Sequence, residues 1–377
     1  MKQPTVYLDY AAATPIDAAV LRAMQPYFID NFYNPSATYS AARDVRKALA
    51  TARAGIAHWL GARPAEIIFT AGGTEANNLA IDGVMRQFPD GNVVVSAIEH
   101  ESVLEPARGY DCRQAAIGPD GRLDLEDLRR KIDNKTVLVS IMYANNEIGT
   151  VQPLRKIAKI IAEKRRQDRA QPLYFHTDAC QAANYLDLHA ARLGVDLMSV
   201  NGGKIYGPKQ SGFLYVKAGT KLEPLLRGGG QERGLRSGTE NVSAIIGLAA
   251  ALDLAQNSRH QEAKRLQALQ ELFFKLAGEK IPTAIINGSR KYRLPNNVHI
   301  TIPGCDNERL LIQLDEAGIM AAAGSACSAS SKEPSHVLRA LGLSDAEARA
   351  SLRFTMGRGT TKAMVERCLQ VLVRFSL

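Results

Sequence analysis

The chain has 377 residues, a formal net charge of +9 at pH 7 and 46% hydrophobic residues. This length allows one large and one smaller domain, each with its own core, and it excludes a single small module. Since the chain has no apolar run near the roughly 20 residues needed to cross a bilayer and no signal-peptide core after Met1, we expect a cytoplasmic protein that does not bind membranes.

The positive charge and the cysteines exclude further classes. An excess of Lys and Arg would suit an anionic cofactor, an acidic partner protein or RNA. Much of it falls on apparent helix surfaces such as 156–169, where a solvated face is the simpler interpretation, so direct binding of nucleic acid is not expected. The five cysteines are scattered and form no Cys-x-x-Cys pair, which argues against a disulfide framework and against a structural metal site.

The predicted elements of the first half alternate between strands and helices. Strands are predicted at 6–10, 66–70, 92–96, 136–143 and 173–177, and helices at 41–60, 125–132 and 154–167, with a further helix that starts near residue 74. Hairpin signals between most of them are absent, so we expect an α/β fold whose mostly parallel sheet is covered by helices on both faces. In open sheets of this kind, ligands bind at the carboxyl ends of the strands.

A glycine turn joins the second of these strands to the helix that follows it. Ala71-Gly72-Gly73 precedes Thr74, and a strand that enters a helix through glycines presents unpaired backbone N–H groups and the positive end of the helix dipole. This geometry suits a phosphate. The segment has neither the Walker P-loop lysine nor the full dinucleotide fingerprint, so a plain glycine turn stays open as the alternative.

Two polar residues come at the carboxyl ends of buried strands. His100 follows strand 92–96 and Asp178 follows strand 173–177, so both are expected at the ligand-binding edge of the sheet. A hydrogen-bonded structural histidine is an equally good interpretation of His100 taken alone. In the same way, Asn34 could be only a turn residue.

The stretch 199–216 predicts a strand, a tight loop and a second strand around Lys204. Two glycines directly before this lysine allow unusual backbone conformations and keep side chains away from its amine. A desolvated lysine amine can lose its proton near neutral pH and form a Schiff base with a carbonyl cofactor. A glycine hairpin with a solvated lysine is the simpler alternative.

The second half begins with a glycine-rich, basic loop at 228–239, which could wrap a phosphate or an interface. A helix at 242–256 and a polar patch at 258–260 then suggest a hinge to a smaller α+β domain. That domain is predicted to contain helices at 260–277, 307–317 and 334–340, strands near 285, at 297–300 and at 352–355, and a closing helix. The predicted boundaries are 13–256 for the large domain, and 1–12 with 257–377 for the small domain.

Together, these residues match the needs of one cofactor. A pyridoxal phosphate site requires an amine for the aldehyde, a carboxylate beside the pyridine nitrogen, a phosphate cradle and a flat group over the ring. The sequence closely resembles the group I cysteine desulfurases, fold type I pyridoxal phosphate enzymes of the class V aminotransferase superfamily, over nearly the whole chain. The matching motifs are Leu8-Asp9-Tyr10, Asn34-Pro35-Ser36, Thr74-Glu75-Ala76-Asn77-Asn78, Glu99-His100, Asn145-Asn146-Glu147-Ile148-Gly149, His176-Thr177-Asp178-Ala179-Cys180-Gln181, Lys204-Ile205-Tyr206-Gly207-Pro208-Lys209, 233–239, Gly324-Ser325-Ala326-Cys327 and 333–342.

The resemblance implies a role for each matching residue. Lys204 would form the Schiff base with pyridoxal 5′-phosphate and move protons, while His100 would stack on the ring and serve in acid/base steps. Cys327, in a loop of small residues, would attack the sulfur of the bound substrate and leave as a persulfide, with alanine released. The residues implied to bind the cofactor are Gly73, Thr74, His100, Asn146, Asp178, Gln181, Asn201 and Lys204, with Thr239 from the partner subunit of a homodimer, and those implied to bind the substrate carboxylate are Asn34 and Arg353.

Two positions before the lysine depart from the family pattern, which usually has a serine and a histidine there. Here they are Asn201 and Gly203. Asn201 could replace the serine contact, but glycine offers no imidazole, so weaker binding of the cofactor phosphate is predicted. The chain also stops soon after its last predicted helix, whereas many group I members extend further to dock a scaffold protein, which leaves the identity of the sulfur acceptor open.

The implied reaction converts L-cysteine to L-alanine and passes the sulfur to an acceptor in iron–sulfur cluster assembly or in the thiolation of tRNA or cofactors. The alternatives are a selenocysteine lyase, an enzyme like the class V aminotransferases, and a weakly active sulfur-relay or assembly partner. Cys327 in its loop argues against transamination, and a transient iron–sulfur ligand role for it stays open. Of the other cysteines, Cys112, Cys305 and Cys368 are expected to be core or incidental residues, and Cys180 is expected to pack inward.

Overall fold

The structure is a computed structural model that describes residues 5–167, 169, 171–324 and 333–376. Twelve strands occur within these residues, and seven of them form one large sheet. In chain order the strands are β1 (Val6–Tyr7), β2 (Ile67–Thr70), β3 (Asn92–Ser96), β4 (Asp111–Ala115), β5 (Thr136–Ser140), β6 (Tyr174–Asp178), β7 (Leu197–Asn201), β8 (Gly212–Val216), β9 (Ile285–Ile286), β10 (Asn297–Thr301), β11 (Ile319–Met320) and β12 (Ser351–Thr355).

Thirteen α-helices occur within the same residues. They are α1 (Ala18–Met24), α2 (Pro26–Ile29), α3 (Ser40–Leu60), α4 (Gly73–Met85), α5 (Glu101–Arg108), α6 (Leu125–Lys131), α7 (Leu154–Arg165), α8 (Ala190–Leu193), α9 (Val242–Lys280), α10 (Asn307–Glu316), α11 (His336–Ala340), α12 (Asp345–Ala348) and α13 (Lys362–Ser376). Short 3₁₀ turns lie at Pro64–Glu66, Gly202–Lys204 and Glu232–Gly234. Across the described part of the chain, none of the helices combines the length and the apolar character needed to cross a membrane.

The central sheet has the strand order β2-β8-β7-β6-β5-β3-β4. β8 is antiparallel to both of its neighbours, whereas the remaining pairs are parallel. A parallel strand such as β3 is buried at every position because helices cover both faces of the sheet, and its apolar sequence is typical of that environment. The predicted α/β fold with a mostly parallel, helix-covered sheet is therefore confirmed.

Six of the seven strands of this sheet end at the same edge. β2 and β7 both run antiparallel to β8, so they point in the same direction, and β3, β4, β5 and β6 are parallel to β7 through consecutive pairings. The loops that follow β2, β3, β5, β6 and β7 carry most of the residues predicted to form a site. Because the carboxyl ends of parallel strands meet at one edge, the topology brings these loops together.

Most of the buried apolar side chains among the described residues pack in two regions. In the first region they lie on the two faces of the central sheet and include the first part of α9. Another core surrounds the three-stranded sheet β12-β10-β9 and contains Leu8, Phe273 and Leu372. β1 pairs in parallel with β11, which attaches the N-terminal segment to this second core. The division into domains at 1–12, 13–256 and 257–377 stays a prediction.

A single helix takes the place of the two helices and the hinge predicted in this region. α9 runs unbroken for 39 residues. The polar patch around Ser258 contains no Gly or Pro, and Ser258 Oγ donates to the carbonyl oxygen of Leu254 at 2.7 Å, a bond made within the helix. The predicted hinge is wrong because a polar patch alone does not end a helix. Apolar residues on its two sides, such as Leu252 and Phe273, pack into different cores.

Candidate active site

Two adjoining cavities lie at the edge of the sheet where β2, β3, β5, β6 and β7 end. The larger has a volume of about 630 Å³, and the smaller has a volume of about 80 Å³. The residues common to both linings are Ala12, Gly73, Thr74, Asn201 and Lys204. The smaller cavity is also lined by five further residues that the sequence predicted for the site, namely His100, Asn146, Asp178, Gln181 and Arg353. The structure thus brings these predicted residues around one space.

The start of α4 forms a wall of both cavities. Gly72 has a φ of +148°, a backbone conformation that glycine adopts readily and other residues do not. A side chain at Gly73 would place its Cβ 2.6 Å from Sγ of Cys180, so this position requires glycine. The first backbone N–H groups of this 13-residue helix therefore lie at a wall with little side-chain cover, an arrangement that suits an anion.

The charges around the larger cavity also suit an anion. Lys204 and Lys209 are the cationic side chains that line it among the described residues, and Lys209 Nζ donates to the carbonyl oxygen of Thr14 at 2.7 Å. Glu75 lines the same cavity, but Arg236 Nε donates to its Oε1 at 2.9 Å. Since this ion pair offsets the acidic charge, the two lysines leave the cavity with a positive balance.

Lys204 ends the 3₁₀ turn that directly follows β7, and β8 follows as the second strand. A Cβ at Gly202 would collide with the side chain of Ser211, so glycine is needed for this close approach. Lys204 Nζ donates to the carbonyl oxygens of Ala11 and Ala12 at 2.8 and 2.7 Å. The predicted strand, loop and strand are confirmed, and the amine lies at the cavities rather than on a solvated hairpin.

Asp178 is the last residue of β6 and is 8% exposed. The backbone N–H of Cys180 donates to its Oδ1 at 2.9 Å, and Asn77 Nδ2 donates to its Oδ2 at 2.7 Å. These two donors hold the carboxylate in one orientation at the wall of the smaller cavity. In this place it can pair with a protonated nitrogen of a bound ring.

His100 follows β3 and is the N-cap residue of α5. Its Nδ1 accepts the backbone N–H of Ser102 at 3.0 Å and lies 2.8 Å from Ser102 Oγ. The histidine also lines the smaller cavity. The ring is therefore oriented by the start of the helix and lies at the wall of the cavity. The structural interpretation of His100 is confirmed, and its role toward a ligand stays a prediction.

Asn146 and Gln181 line the smaller cavity on loops after β5 and β6. Gln181 Nε2 donates to the carbonyl oxygen of Ala11 at 3.0 Å, the same oxygen that the lysine amine contacts. The loop of Asn146 is shaped by Asn145, whose buried Nδ2 donates to the carbonyl oxygen of Ile98 at 2.9 Å. The side chain of Gln181 is therefore held beside the lysine, and the loop that carries Asn146 is held against the strand end that precedes His100.

Arg353 reaches the smaller cavity from β12 of the second sheet. It is 1% exposed, and its guanidinium donates to Asp9 Oδ1 at 2.7 Å and to the carbonyl oxygen of Asn146 at 3.1 Å. Its Nε is buried and has no hydrogen-bond partner among the described residues. Pairing with Asp9 compensates the buried charge, and Nε leaves a donor for a further acceptor.

Two predicted site residues are not found at the cavities, and a third lies outside the described residues. Asn34 and Thr239 are exposed, and neither lines the two cavities as the described residues define them. Asn34 Oδ1 instead accepts the backbone N–H of Ser36 at 2.9 Å. Cys327 lies outside the described residues. The roles of these three residues stay predictions.

The segment that begins at residue 333 is attached to the loops at the strand ends. Ser335 Oγ donates to Glu147 Oε2 at 2.6 Å, and His336 Nε2 forms a hydrogen bond with the carbonyl oxygen of Glu99 at 2.9 Å. These contacts place the start of α11 beside the loops after β3 and β5. The chain therefore returns to the edge of the cavities soon after the position of the predicted nucleophile.

Several residues that line the smaller cavity were not assigned to a site from the sequence, among them Asn77, Ser102 and Cys180. Cys180, which was expected to pack inward, is half-buried and borders the smaller cavity, with its Sγ next to Gly73, which has no side chain to cover it. Loss of solvation, followed by the negative charge of Asp178, raises the pKa of this thiol well above its usual value. A thiol with a raised pKa is a poor nucleophile.

Glu99, the residue before His100, is completely buried. Its Oε1 accepts hydrogen bonds from Ser96 Oγ at 2.6 Å and from the backbone N–H of Met142 at 2.8 Å. Its Oε2 has no hydrogen-bond partner in the described part of the chain. Loss of solvation, aided by the negative charge of Asp178, raises the pKa of this carboxyl to about 8. The group is therefore mostly protonated at pH 7.

Replacing Glu99 by glutamine is expected to remove a pH dependence of stability. The carboxyl loses its proton near pH 8 in the folded protein and near its ordinary value of 4.5 in the unfolded chain. Between these values the folded state holds the extra proton, so the free energy of unfolding of the wild type falls as the pH rises, by at most about 1.4 kcal/mol per pH unit. Urea unfolding of both proteins across this window measures the effect, and equal slopes would contradict it.

Comparison with protein families and curated proteins gives matches over nearly the full length. The family model for class V aminotransferases matches residues 6–368. A curated relative, the cysteine desulfurase IscS of Dictyoglomus turgidum, is 42% identical over 376 residues, which cover 98% of this chain and 94% of the relative.

Solved structures have the same fold. A NifS-like protein from Rickettsia africae has a TM-score of 0.89 and 32% identity, and the match covers 99% of each chain. The protein SspA, solved in complex with cysteine, has a TM-score of 0.81 and 36% identity, and the match covers 93% of this chain and 99% of that one. In both cases the match extends over the central sheet and the second core together.

Proposed function

The chain belongs to the class V aminotransferases and, among them, to the cysteine desulfurases, and from this membership we propose that its two cavities bind pyridoxal 5′-phosphate and L-cysteine. Its reaction releases the sulfur of L-cysteine and leaves L-alanine. One observation gives this proposal its strongest support: a lysine amine, a buried carboxylate and a glycine-lined helix start lie around the same pair of cavities.

The residues around the cavities fit this cofactor. The helix start at Gly73 and the charge of Lys209 suit its phosphate, Asp178 suits the protonated ring nitrogen, and Lys204 offers the amine for the aldehyde. His100 offers a flat group for stacking on the ring. Asn146, Gln181 and Asn201 complete the set that binds the ring and the phosphate. When bound, pyridoxal phosphate supplies an electron sink for the negative charge that develops on the substrate.

Lys204 holds and moves protons in this proposal. The carbonyl oxygens of Ala11 and Ala12 hold its ammonium at the wall shared by the cavities. Nζ would take the proton from the substrate Cα and return a proton to the product. Its place on the lining of both cavities supports this role.

Arg353 binds the substrate carboxylate. Its Nε lacks a partner among the described residues and is buried at the smaller cavity, so a carboxylate there would satisfy this donor and one neighbouring N–H in a bidentate pair. Asp9 holds the guanidinium in place before the substrate arrives. Asn34 is the second residue assigned to this carboxylate. SspA, which was solved with cysteine, supports cysteine as the amino acid bound here.

Cys327 is the nucleophile that removes the sulfur. Its thiolate attacks the sulfur of the bound substrate and forms a persulfide on Cys327 as the Cβ–S bond breaks, and the electron pair of that bond stays with the carbon, which takes up a proton to become the methyl group of alanine. The contacts of Ser335 and His336 support this role, because they attach the chain eight and nine residues further on to the loops around the cavities. The persulfide then passes to an acceptor protein.

A homodimer completes the site. Thr239 is exposed and lies outside both cavities of its own chain, so its proposed contact with the phosphate requires a second subunit. Phe28, Ile29 and Phe32 expose 56%, 78% and 66% of their surfaces, which is expected of apolar side chains that a partner covers. The acceptor is a protein of iron–sulfur cluster assembly or of the thiolation of tRNA or cofactors, and the reaction takes place in the cytoplasm.

The test of this function is the fate of L-cysteine. The purified protein, supplied with pyridoxal phosphate, is incubated with L-cysteine and a thiol reductant, and alanine and sulfide are quantified. Equal amounts of the two products are expected. A protein that forms neither product and stays colourless with added cofactor would instead be a sulfur-relay or assembly partner. Transfer of the amino group to a keto acid would indicate an aminotransferase, and reaction with selenocysteine alone would indicate a selenocysteine lyase.

Replacing Gly203 by histidine is expected to tighten the binding of pyridoxal phosphate about tenfold, which corresponds to roughly 1.4 kcal/mol from a new hydrogen bond to the phosphate. The position accepts a side chain, because a Cβ there would lie 3.4 Å from Asn201 Oδ1 and 3.7 Å from Lys209 Cγ. The measurement is an equilibrium titration of the apoprotein with the cofactor.

Gly203→Ala is the matched control, since it adds the Cβ without the imidazole. Pyridoxal without its phosphate is the matched ligand, and its affinity should be the same for all three proteins. If the histidine and alanine variants bind pyridoxal phosphate equally well, the glycine at this position does not weaken the phosphate site.

A further inference from the structure

We propose that Ser102 and Asn77 fix the tautomer of His100, so that the neutral histidine carries its proton on Nε2. This makes them positioning residues, which act through the histidine. The catalytic consequence rests on the proposed function, whereas the tautomer itself is a property of the chain alone. The two can therefore fail separately in an experiment.

The backbone N–H of Ser102 provides the first constraint. It donates to Nδ1 of His100 at 3.0 Å, and a backbone N–H group can only donate. Nδ1 must therefore present a lone pair, and a neutral imidazole then carries its single proton on Nε2. The contact follows from the position of His100 as the N-cap of α5, where a side chain satisfies an N–H group that has no partner within the helix.

A chain of side-chain hydrogen bonds provides the second constraint. Ser102 Oγ lies 2.8 Å from His100 Nδ1 and 2.8 Å from Asn77 Nδ2. The amide nitrogen of Asn77 also donates to Asp178 Oδ2 at 2.7 Å. Because an amide nitrogen can only donate, the serine oxygen accepts from Asn77 and directs its own proton at Nδ1.

The orientation of the Asn77 amide is settled by its neighbours. If the amide were turned over, its oxygen would lie against the carboxylate of Asp178, and two acceptors would face each other at hydrogen-bond distance. In the observed orientation, Asn77 Oδ1 is buried and has no hydrogen-bond partner among the described residues. This orientation leaves the amide oxygen of Asn77 without a hydrogen bond, but it allows the amide nitrogen to donate to both Asp178 and Ser102.

The consequence concerns what His100 can offer at Nε2. A neutral imidazole with its proton on Nε2 can donate a hydrogen bond at that atom but cannot accept there. His100 therefore meets a group in the smaller cavity as a hydrogen-bond donor, since release of this proton would leave an imidazolate anion. To accept a proton at Nε2 it would have to carry one on Nδ1, where the N–H of Ser102 would face it. Another group has to take the thiol proton of Cys327 before it attacks.

The tautomer can be read directly by NMR on the full chain labelled with ¹⁵N in histidine, with and without pyridoxal phosphate. The signals of His100 are those lost in His100→Gln. In the wild type, its Nδ1 should have the chemical shift of an acceptor nitrogen, and its Nε2 that of an N–H nitrogen. An N–H signal at Nδ1 would overturn the proposal.

Variants test the roles of the two positioning residues. Ser102→Ala keeps the backbone donor and loses the hydroxyl. Because one hydrogen bond to Nδ1 is lost, the proportion of the Nδ1–H tautomer should rise about fivefold. Asn77→Ala should shift it in the same direction, and Ser102→Thr should restore the wild-type ratio. His176, which lies 2.8 Å from Ser140 Oγ, is the internal control. Unchanged ratios in both alanine variants would overturn the roles of Ser102 and Asn77, whether or not the protein binds the cofactor.

Discussion

Replacing Lys204 by alanine is expected to lower the rate of sulfide release from L-cysteine on the order of 10³-fold or more. The wild-type amine lies at the wall that both cavities share, where it donates to the carbonyl oxygens of Ala11 and Ala12. Alanine leaves neither a nucleophile for the cofactor aldehyde nor a group that moves protons at the substrate. The rates are compared at saturating pyridoxal phosphate, so that weaker binding does not account for the loss.

Reduction with borohydride gives a second measurement of the same variant. In the wild type it should fix the cofactor to the peptide that contains Lys204, and in Lys204→Ala and Lys204→Arg no peptide should carry it. Lys217→Ala is the control, because this lysine is half exposed and pairs with Asp196 at 3.3 Å. It should keep both the label and the activity. A Lys204→Ala protein that is labelled on another lysine and remains active would refute the assignment.

Replacing Cys327 by alanine should also slow sulfide release by about 10³-fold or more, but for a different reason. The variant keeps every described residue that lines the two cavities. We therefore expect it to bind the cofactor and to change its visible absorbance when L-cysteine is added, as the wild type does. The step that fails is the attack on sulfur, because the thiolate is the nucleophile.

Cys180→Ala is the matched control for this variant. Cys180 lines the smaller cavity itself, but its raised pKa disfavours the thiolate at neutral pH, so most of the activity should remain. After a single turnover without reductant, mass spectrometry of the wild type should find one extra sulfur on the peptide with Cys327. Sulfur on Cys180, or a loss of activity confined to Cys180→Ala, would reverse the assignment.

The parts of the site that the sequence predicts follow from the ends of strands. Asp178 and His100 each come at the end of an apolar run, and Lys204 stands in a glycine turn between two such runs. Each of these signals lies within a few residues of the side chain concerned. The parallel sheet then brings the strand ends to one edge, so local patterns were sufficient to predict a shared site.

The parts that could not be predicted depend on contacts between distant segments. The pair of Asp9 and Arg353 joins residues 344 positions apart, and neither neighbourhood contains a pattern that indicates the other. The continuity of α9 has a similar origin, because its two halves are stabilised by different cores. Thr239 lines neither of the two cavities, and the role proposed for it requires a second subunit.

Ser102 is a residue that the sequence could have indicated. It stands two positions after His100, where a helix is about to begin, and the side chain of an N-cap residue regularly accepts the backbone N–H at this spacing. Histidine is not among the usual N-cap residues, so this contact between His100 and Ser102 was not expected from the sequence. A histidine that stands directly before a predicted helix is a place where the same contact would fix the tautomer.

The unbroken α9 also limits how the molecule can open. At 1.5 Å per residue, its 39 residues form a rod roughly 58 Å long that is embedded in both cores. Rotating one core away from the other would require this helix to bend, and it contains no Pro or other break where a sharp kink would form. We therefore expect the distance between Asp178 and Arg353 to change little when a ligand binds between them.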